Sequence, residues 1–369
     1  MPMYDVAVVG GGLAGCATAL AIHRTRPSAS IVLLSDETTM RFKIGESLPP
    51  EATHLLRFLD PALPATLKEH LACAGTASAW ASDYLEEREA MMNPFGHGWH
   101  LDRAKFDQTL RNTASGAGVE VLQAKATRVT RQHGQSHWIV ECQSMNIECR
   151  WLVDASGRKA SIARSLGLQT MKKDNLISFY ALLSSTSGTT EDRDTRTIIE
   201  ASPGGWWYTA LLPSRQRLVA FHCDADGSNT RASSVRNRTG FLDELYGQTK
   251  HIAALVMKHE YDFSADFPIP QSTAACSSRL EGWESEPFFV PVGDAAMAFD
   301  PLSSQGMMTA LEMGCVVGDE LARGLISPEA KSRDATSTIA KRYKQAWSEY
   351  ELHRQYYYSV RRRFPDDDA

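Results

Sequence analysis

The stretch that most restricts this chain is Gly10-Gly11-Gly12-Leu13-Ala14-Gly15. Val6-Ala7-Val8-Val9 precedes it, the small-residue run Cys16–Ala21 follows it, and Ile31-Val32-Leu33-Leu34 comes after Pro27. Four consecutive apolar residues suit a parallel strand buried on both faces. Strand, glycine turn, helix and strand within about 30 residues is the context a dinucleotide fingerprint requires. Gly10 would permit the tight turn. Gly12 would let backbone approach a pyrophosphate at the helix N-terminus, with Leu13 and Ala14 beside it, and Gly15 would let helix and strand pack closely. An ordinary glycine turn could carry the same letters. At the end of the second strand the fingerprint expects an acid for a ribose. Ser35 stands there, with Asp36 and Glu37 just beyond, so Asp36 is the first choice and Ser35 a weaker one. A solvated strand end is the other reading of these acids.

The chain has 369 residues, 43% of them hydrophobic and 22% charged, enough for a large core in one or two domains. A formal charge of -5 gives no general attraction to nucleic acid. There is no run of about 20 apolar residues to span a membrane, and no basic-then-apolar leader pattern opens the sequence. The expectation is a cytoplasmic protein with neither nucleic-acid nor membrane partners. The 7 cysteines form no CxxC pair, so they read as buried free thiols, with no metal site.

Further along, Met40–Pro50 reads as a loop containing Lys43 and Gly45-Glu46-Ser47, followed by a helix over Glu51–Phe58. Ser78–Ala81 is a candidate strand. Asp102 is placed to cap a helix through Leu110. Ala126–Arg131 and His137–Cys142 alternate as a hairpin across Gly134. Trp151-Leu152-Val153-Asp154 runs as a strand into Gly157, a ligand-facing strand end in an open α/β sheet. From Ile177 to Asp224 short strands predominate, which predicts an inserted antiparallel sheet. In it, Trp206 and Tyr208 share one face and Trp207 takes the other, so at least one face is a wall, either core or the side of a pocket. Phe288–Val292 is another buried strand, ending at Gly293-Asp294. Asp300–Met308 leads into a helix over Thr309–Ala322, whose approach through Gln305 and Gly306 makes a second anion-binding N-terminus. The tail Ile339–Arg363 is helical, and a solvated helix end is the default for its basic and acidic runs.

Gly10-x-Gly12-x-x-Gly15, Arg103-x-x-Phe106-Asp107, Val153-Asp154-Ala155-Ser156-Gly157 and Gly293-Asp294 together resemble the FAD-dependent aromatic hydroxylases of the p-hydroxybenzoate hydroxylase type. Gly45-Glu46-Ser47-x-x-Pro50, Asp300–Gly306 and the paired tryptophans are similar to the branch containing flavin-dependent tryptophan halogenases and their non-halogenating relatives. The resemblance spans residue 4 to about 325. It implies an α/β fold: a Rossmann-like FAD-binding domain with an inserted antiparallel β-sheet substrate domain and a helical C-terminal tail. The FAD-binding parts would be 1–75, 101–170 and 276–325, with a substrate-side segment at 76–100, the substrate sheet at 171–275 and the tail at 326–369. It also implies that Gly10, Gly12, Leu13, Ala14 and Gly15 hold the pyrophosphate. Ser35 and Asp36 would lie at the ribose and Arg103 along the cofactor. Lys43, Gly45 and Ser47 would belong to a mobile strap beside the flavin, with Asp154, Gly157, Gly293 and Asp294 at the strand ends. Gln305, Gly306 and Met307 would lie near the isoalloxazine, and Trp206, Trp207 and Tyr208 on the substrate face. Glu46 is the candidate acid or base, unless it only holds the strap. His97 and His100 are candidates for positioning substrate, unless both lie on the surface.

Three departures argue against halogenation. Halogenases of this branch carry a lysine where this chain reads Cys73–Trp80, and Lys68 lies upstream in a helix. Their Trp-x-Trp-x-Ile-Pro motif is replaced by Gly205–Pro213, and this chain is shorter. It resembles instead the flavoproteins that act as modifying partners of lysine oxidase and glycine oxidase. These are thought to hydroxylate a tryptophan of the oxidase precursor before its cysteine tryptophylquinone is completed. The expected partner is therefore the precursor of a quinone-cofactor amino-acid oxidase, with NAD(P)H or an external flavin reductase as reductant. The alternatives are a small or carrier-bound aromatic substrate, a flavin-bearing assembly factor for the oxidase, or a halogenase.

Overall fold

The computed structural model describes residues 1–36, 42–131, 137–143, 145–186, 191–225, 230–325 and 330–361. Glu37, the Gly134 turn and the charged runs after Arg361 lie outside them.

The fold is mixed α/β, and its first sheet has seven strands. Along the sheet they run Glu120–Gln123, Ile31–Ser35, Met3–Val9, Asn146–Asp154, Trp138–Cys142 and Ala126–Arg131, with Phe289–Pro291 also paired to Asn146–Asp154. Met3–Val9 lies parallel to both neighbours and Phe289–Pro291 is parallel too, while the last two strands form the expected antiparallel hairpin. Val9 pairs with both Leu34 and Asp154, and Asp154 pairs with Pro291. The strand ends therefore stop level with one another, and the loops leaving them share one edge, where open parallel sheets bind ligands.

Two helices are packed behind that edge. Leu13–Thr25 is buried from Leu13 to Ile22 because its sequence is small and apolar throughout. Gly306–Gly324 crosses it closely: a Cβ added at Gly314 would lie 2.6 Å from that of Ala17, and one at Gly318 2.6 Å from that of Ala21. This close crossing sets the N-terminus of the second helix beside the glycine turn. The helix Arg103–Ala117 starts at the expected cap, where Asp102 accepts from the Lys105 amide at 3.1 Å.

A second, eight-stranded sheet is ordered Tyr261–Phe263, Leu176–Ser185, Arg217–Asp224, Gly205–Leu211, Thr197–Ser202, Gly75–Ala79 and Glu86–Glu89, with Gln271–Ala274 also paired to Leu176–Ser185. It departs from the all-antiparallel expectation, since Gly75–Ala79 joins Thr197–Ser202 in parallel. One face is sealed by the helices Arg238–Gln248 and His251–Lys258, through Phe241, Leu245, Ile252 and Val256. The strap is held in a third sheet, where Ser47–Leu48 and Leu71–Cys73 flank Gly98–His100. All seven cysteines are buried free thiols.

The C-terminal helix Ala330–Ser359 is more than a solvated end. It buries Ile339, Tyr343, Trp347 and Tyr350. Tyr343 donates to the Pro291 carbonyl at 2.6 Å and Tyr358 to the Asp300 carboxylate at 2.8 Å, so the helix braces two strand-end loops. Tyr356 and Tyr357 remain exposed. No described helix is long and apolar enough to cross a membrane.

Candidate functional site

A cavity of about 410 Å³ opens between the level strand ends and the free face of the second sheet. Gly12, Leu13 and Ala14 line it at the glycine turn. The three fingerprint glycines divide the work. Gly10 has φ +123°, and a Cβ there would lie 2.2 Å from the Ala155 carbonyl oxygen. A Cβ on Gly15 would lie 2.0 Å from the Gly10 oxygen. One on Gly12 would meet nothing within 4 Å. Gly10 and Gly15 therefore serve the packing of the turn, whereas Gly12 keeps backbone bare toward open space. That is the geometry a pyrophosphate needs.

Two cations, Arg103 and Arg158, line the cavity. Arg103 donates to the Gly45 carbonyl at 2.7 Å and to Asp107 at 3.2 Å, while Lys43 reaches the same Asp107 at 3.0 Å. Burial alone would raise the Asp107 carboxyl, yet Arg103 and Lys43 hold it below the usual carboxylate range. Arg158 donates to the Cys276 and Phe299 carbonyls at 2.7 and 2.9 Å and lies 3.5 Å from Asp294. Gly306 and Met307 line the cavity from the helix N-terminus. A bare turn, two cations and a second helix N-terminus form a donor set that fits FAD.

The strap closes one side. Glu46 is only 2% exposed and accepts from the Gly45 amide at 3.1 Å and from the Tyr208 hydroxyl. The Tyr208 proton is thus directed to Glu46, and Ser47, 2.7 Å away, donates to the phenolic oxygen. Burial, then the Glu46 charge, push the Tyr208 phenol well above its ordinary value, so it stays a neutral donor. Ser47 and Ser304 also border a second cavity of about 770 Å³, whose walls include Cys73, Thr197, Trp99, Arg88 and Met92. No lysine among the described residues lines either cavity.

Several expected site residues stand elsewhere. Asp154 is buried and commits its oxygens to Ser156 and the Ala163 amide, holding the turn and leaving the cavity to Ala155, Gly157 and Arg158. Ser35 is buried against Gly11, and its hydroxyl finds no partner among the described residues; Asp36 is exposed. Lys43 is tied to Asp107, and Gln305 sits at the helix cap behind the lining residues. Gly293, with φ +62°, packs under Ala14, and its neighbour Asp294 reaches the cavity.

The histidines separate. His97 is exposed and bonds the Gly98 carbonyl at 2.9 Å, outside both cavities. His100 is fully buried, with Nδ1 2.9 Å from the Leu211 carbonyl and Nε2 3.0 Å from Thr197 Oγ1. Cys73 Sγ lies 4.0 Å from the same Thr197 oxygen. Burial raises the Cys73 thiol, but His100 brings it below the ordinary thiol value. His100 is pushed down by burial and up by Cys73 and Glu46, and ends above its ordinary value.

Of the expected substrate face, only Tyr208 lines a cavity. Trp207 points to the helix-covered side against Phe221 and Phe241, because strand residues alternate. Trp206 is buried between Trp80, Tyr358 and a stacked His222. Sequence reasoning missed Arg158, Ser178, His222 and Thr273, all of which line the first cavity. Ser178 and His222 were visible as polar interruptions in apolar strands.

A family model described as "Lycopene cyclase protein" matches residues 5–173. "Putative FAD-dependent oxidoreductase LodB" of Marinomonas mediterranea is 28% identical over 99% of this chain and 95% of its own length. Among solved structures, the flavin-dependent brominase Bmp2 superposes with TM-score 0.80 at 18% identity, over 96% of this chain and 87% of its own. "Peptidyl tryptophan dihydroxylase QhpG essential for tryptophylquinone cofactor biogenesis" gives TM-score 0.74 at 20% identity, over 98% and 76%. The chain therefore has the fold of the flavin-dependent halogenases, and a relative that it matches along nearly its whole length is named as an FAD-dependent oxidoreductase.

Proposed function

We propose that this protein is an FAD-dependent monooxygenase that hydroxylates a tryptophan side chain of a partner oxidase precursor. The observation that carries the reading against halogenation is the composition of the two cavities. Halogenases of the resembling branch use a lysine in the segment aligned with Cys73–Trp80, and here Cys73 looks into the second cavity and no described lysine lines either one. The names of LodB and QhpG, an FAD-dependent oxidoreductase and a peptidyl tryptophan dihydroxylase, support the same direction.

FAD, when bound, supplies the activation of oxygen and its transfer to an electron-rich ring. The chain's own residues bind, orient and shield. Gly12 and the N-terminus of Leu13–Thr25 would receive the diphosphate, Arg103 and Arg158 would balance its charge, and the N-terminus at Gly306 would face the isoalloxazine. Glu46, Tyr208 and Ser47 form a hydrogen-bonded bridge at the junction of the two cavities. Because the Tyr208 phenol stays protonated, it keeps its proton in the hydrogen bond to Glu46 and so ties the strap to the second sheet.

The test is the intact mass of a co-expressed candidate oxidase precursor, with and without this protein. Gain of oxygen on a tryptophan-containing peptide, lost in Gly12→Val, supports the reading. A halide-dependent gain of halogen would replace it with halogenation. An unchanged precursor that nevertheless binds would favour an assembly factor. With neither binding nor mass change, the substrate becomes a small aromatic molecule.

A further inference from the structure

The floor of the cofactor cavity contains two polar atoms that the protein does not satisfy. Ser178 Oγ and His222 Nδ1 are buried and have no hydrogen-bond partner among the described residues. Their residues are 1% and 3% exposed, and both line the 410 Å³ cavity. They are not scattered. Ser178 and His222 face each other across the antiparallel strands Leu176–Ser185 and Arg217–Asp224. Thr273 continues the same row beyond Ser178 and also lines the cavity, while Trp206 continues it beyond His222. The Trp206 ring stacks on the His222 imidazole with centroids 3.8 Å apart and planes 6° apart, fixing its orientation. Burial pushes His222 down to about 3, so the imidazole is neutral at physiological pH.

An unpaired buried donor or acceptor destabilises a folded chain. Two in register, opening on one cavity, with one ring held by a stacked tryptophan, form a built half of a hydrogen-bonding site. We propose that Ser178 and His222 receive the polar edge of a planar nitrogen heteroaromatic ring lying on the second sheet. A serine hydroxyl both donates and accepts. A neutral imidazole nitrogen takes an N–H, or in the other tautomer donates to a carbonyl. Two rings of the proposed reaction carry such an edge: the indole of the substrate and the pyrimidine end of the flavin. The inference rests on the aromatic-substrate reading above and names the residues that would recognise the ring.

The test uses Ser178→Ala and His222→Phe, the latter keeping a ring under Trp206. The first measurement is the thermal midpoint without FAD, in which Ser178→Ala should melt no lower than wild type because it removes an unpaired hydroxyl. The second is FAD affinity by flavin fluorescence. The third is the affinity of the FAD-loaded protein for indole and for benzofuran, its oxygen isostere without the N–H. If the indole edge binds here, wild type prefers indole about tenfold, one neutral hydrogen bond, and both variants lose the preference. If the flavin edge binds here, FAD weakens about tenfold in the variants and the indole preference is unchanged. A Ser178→Ala protein that melts lower, with every affinity unchanged, would overturn the proposal and make both side chains structural. An indole preference in a protein that never oxygenates tryptophan would sink the function reading while leaving the subsite standing.

Discussion

The two walls of the cavity present opposite kinds of surface. The strand-end wall works with backbone: its key residue, Gly12, contributes no side chain at all, and its neighbours Gly10 and Gly15 exist to let peptide groups nearly touch. The sheet wall works with side chains: Ser178, His222, Thr273 and Tyr208 project from paired strands into the same space. A backbone cradle suits a cofactor with a charged diphosphate, because amides and helix termini read charge without reading identity. A side-chain floor suits selection among rings, because each donor or acceptor can be changed alone.

Substitutions can break that contrast, beginning with the most damaging. Gly15→Val and Gly10→Ala drive carbon into the turn, and urea unfolding should show losses of about 3 kcal/mol or more. On the sheet side the comparable lesion is charge. Arg217 is fully buried and pairs with Asp192 at 2.6 Å, so Arg217→Met strands that carboxylate; unfolding should register about 3–5 kcal/mol. Gly12→Ala meets no protein atom, so stability should stay within about 0.5 kcal/mol. The same change should weaken FAD binding at least tenfold if bare backbone is what the cradle supplies, and unchanged binding would remove that role from Gly12.

Two smaller effects depend on pH. Asp107 titrates below its unfolded value of about 3.9. Its contribution is therefore complete above that pH and is lost as pH falls through the folded value. Asp107→Asn should flatten the acid-unfolding curve below about pH 4, and an unaltered slope would assign the acid response elsewhere. Cys73 is the other case. Burial pushes Cys16, Cys149, Cys223 and Cys315 up to about 12, whereas Cys73 is held below the ordinary value and borders the second cavity. Iodoacetamide at neutral pH should label Cys73 first among the seven, and His100→Phe should slow that labelling about tenfold.

The same contrast explains what could be read in advance. The glycine turn, the Asp102 cap and the Ala126–Cys142 hairpin were legible because each is a short-range pattern, closed within a few residues of chain. Asp154 had the right address but another job, because a strand-end acid can serve its own turn as well as a ligand. Ser178 and His222 showed as polar interruptions, but the row they form with Thr273 and Trp206 could not be read, since it crosses four strands whose alignment is set by register and not by neighbourhood in sequence. Trp207 shows the related hazard: a conspicuous residue on an alternating strand has even chances of facing the core, and here it does. The tail's helix was legible, but not its contacts: Tyr343, Tyr350 and Tyr358 reach strand-end loops far away in sequence.

The level strand ends carry a consequence for how the protein is made. The strand Met3–Val9 is made well before one of its partners, Asn146–Asp154, and that strand in turn pairs with Phe289–Pro291. The helix that brings up Gly306 comes later still. The glycine turn must therefore wait, with its sheet half-built, until Phe289–Pro291 has been made, and pairing across such separations is slow. The pocket is complete only once Gly306 has been made, and a nascent chain stalled before Phe289 would display the fingerprint without the pocket it belongs to.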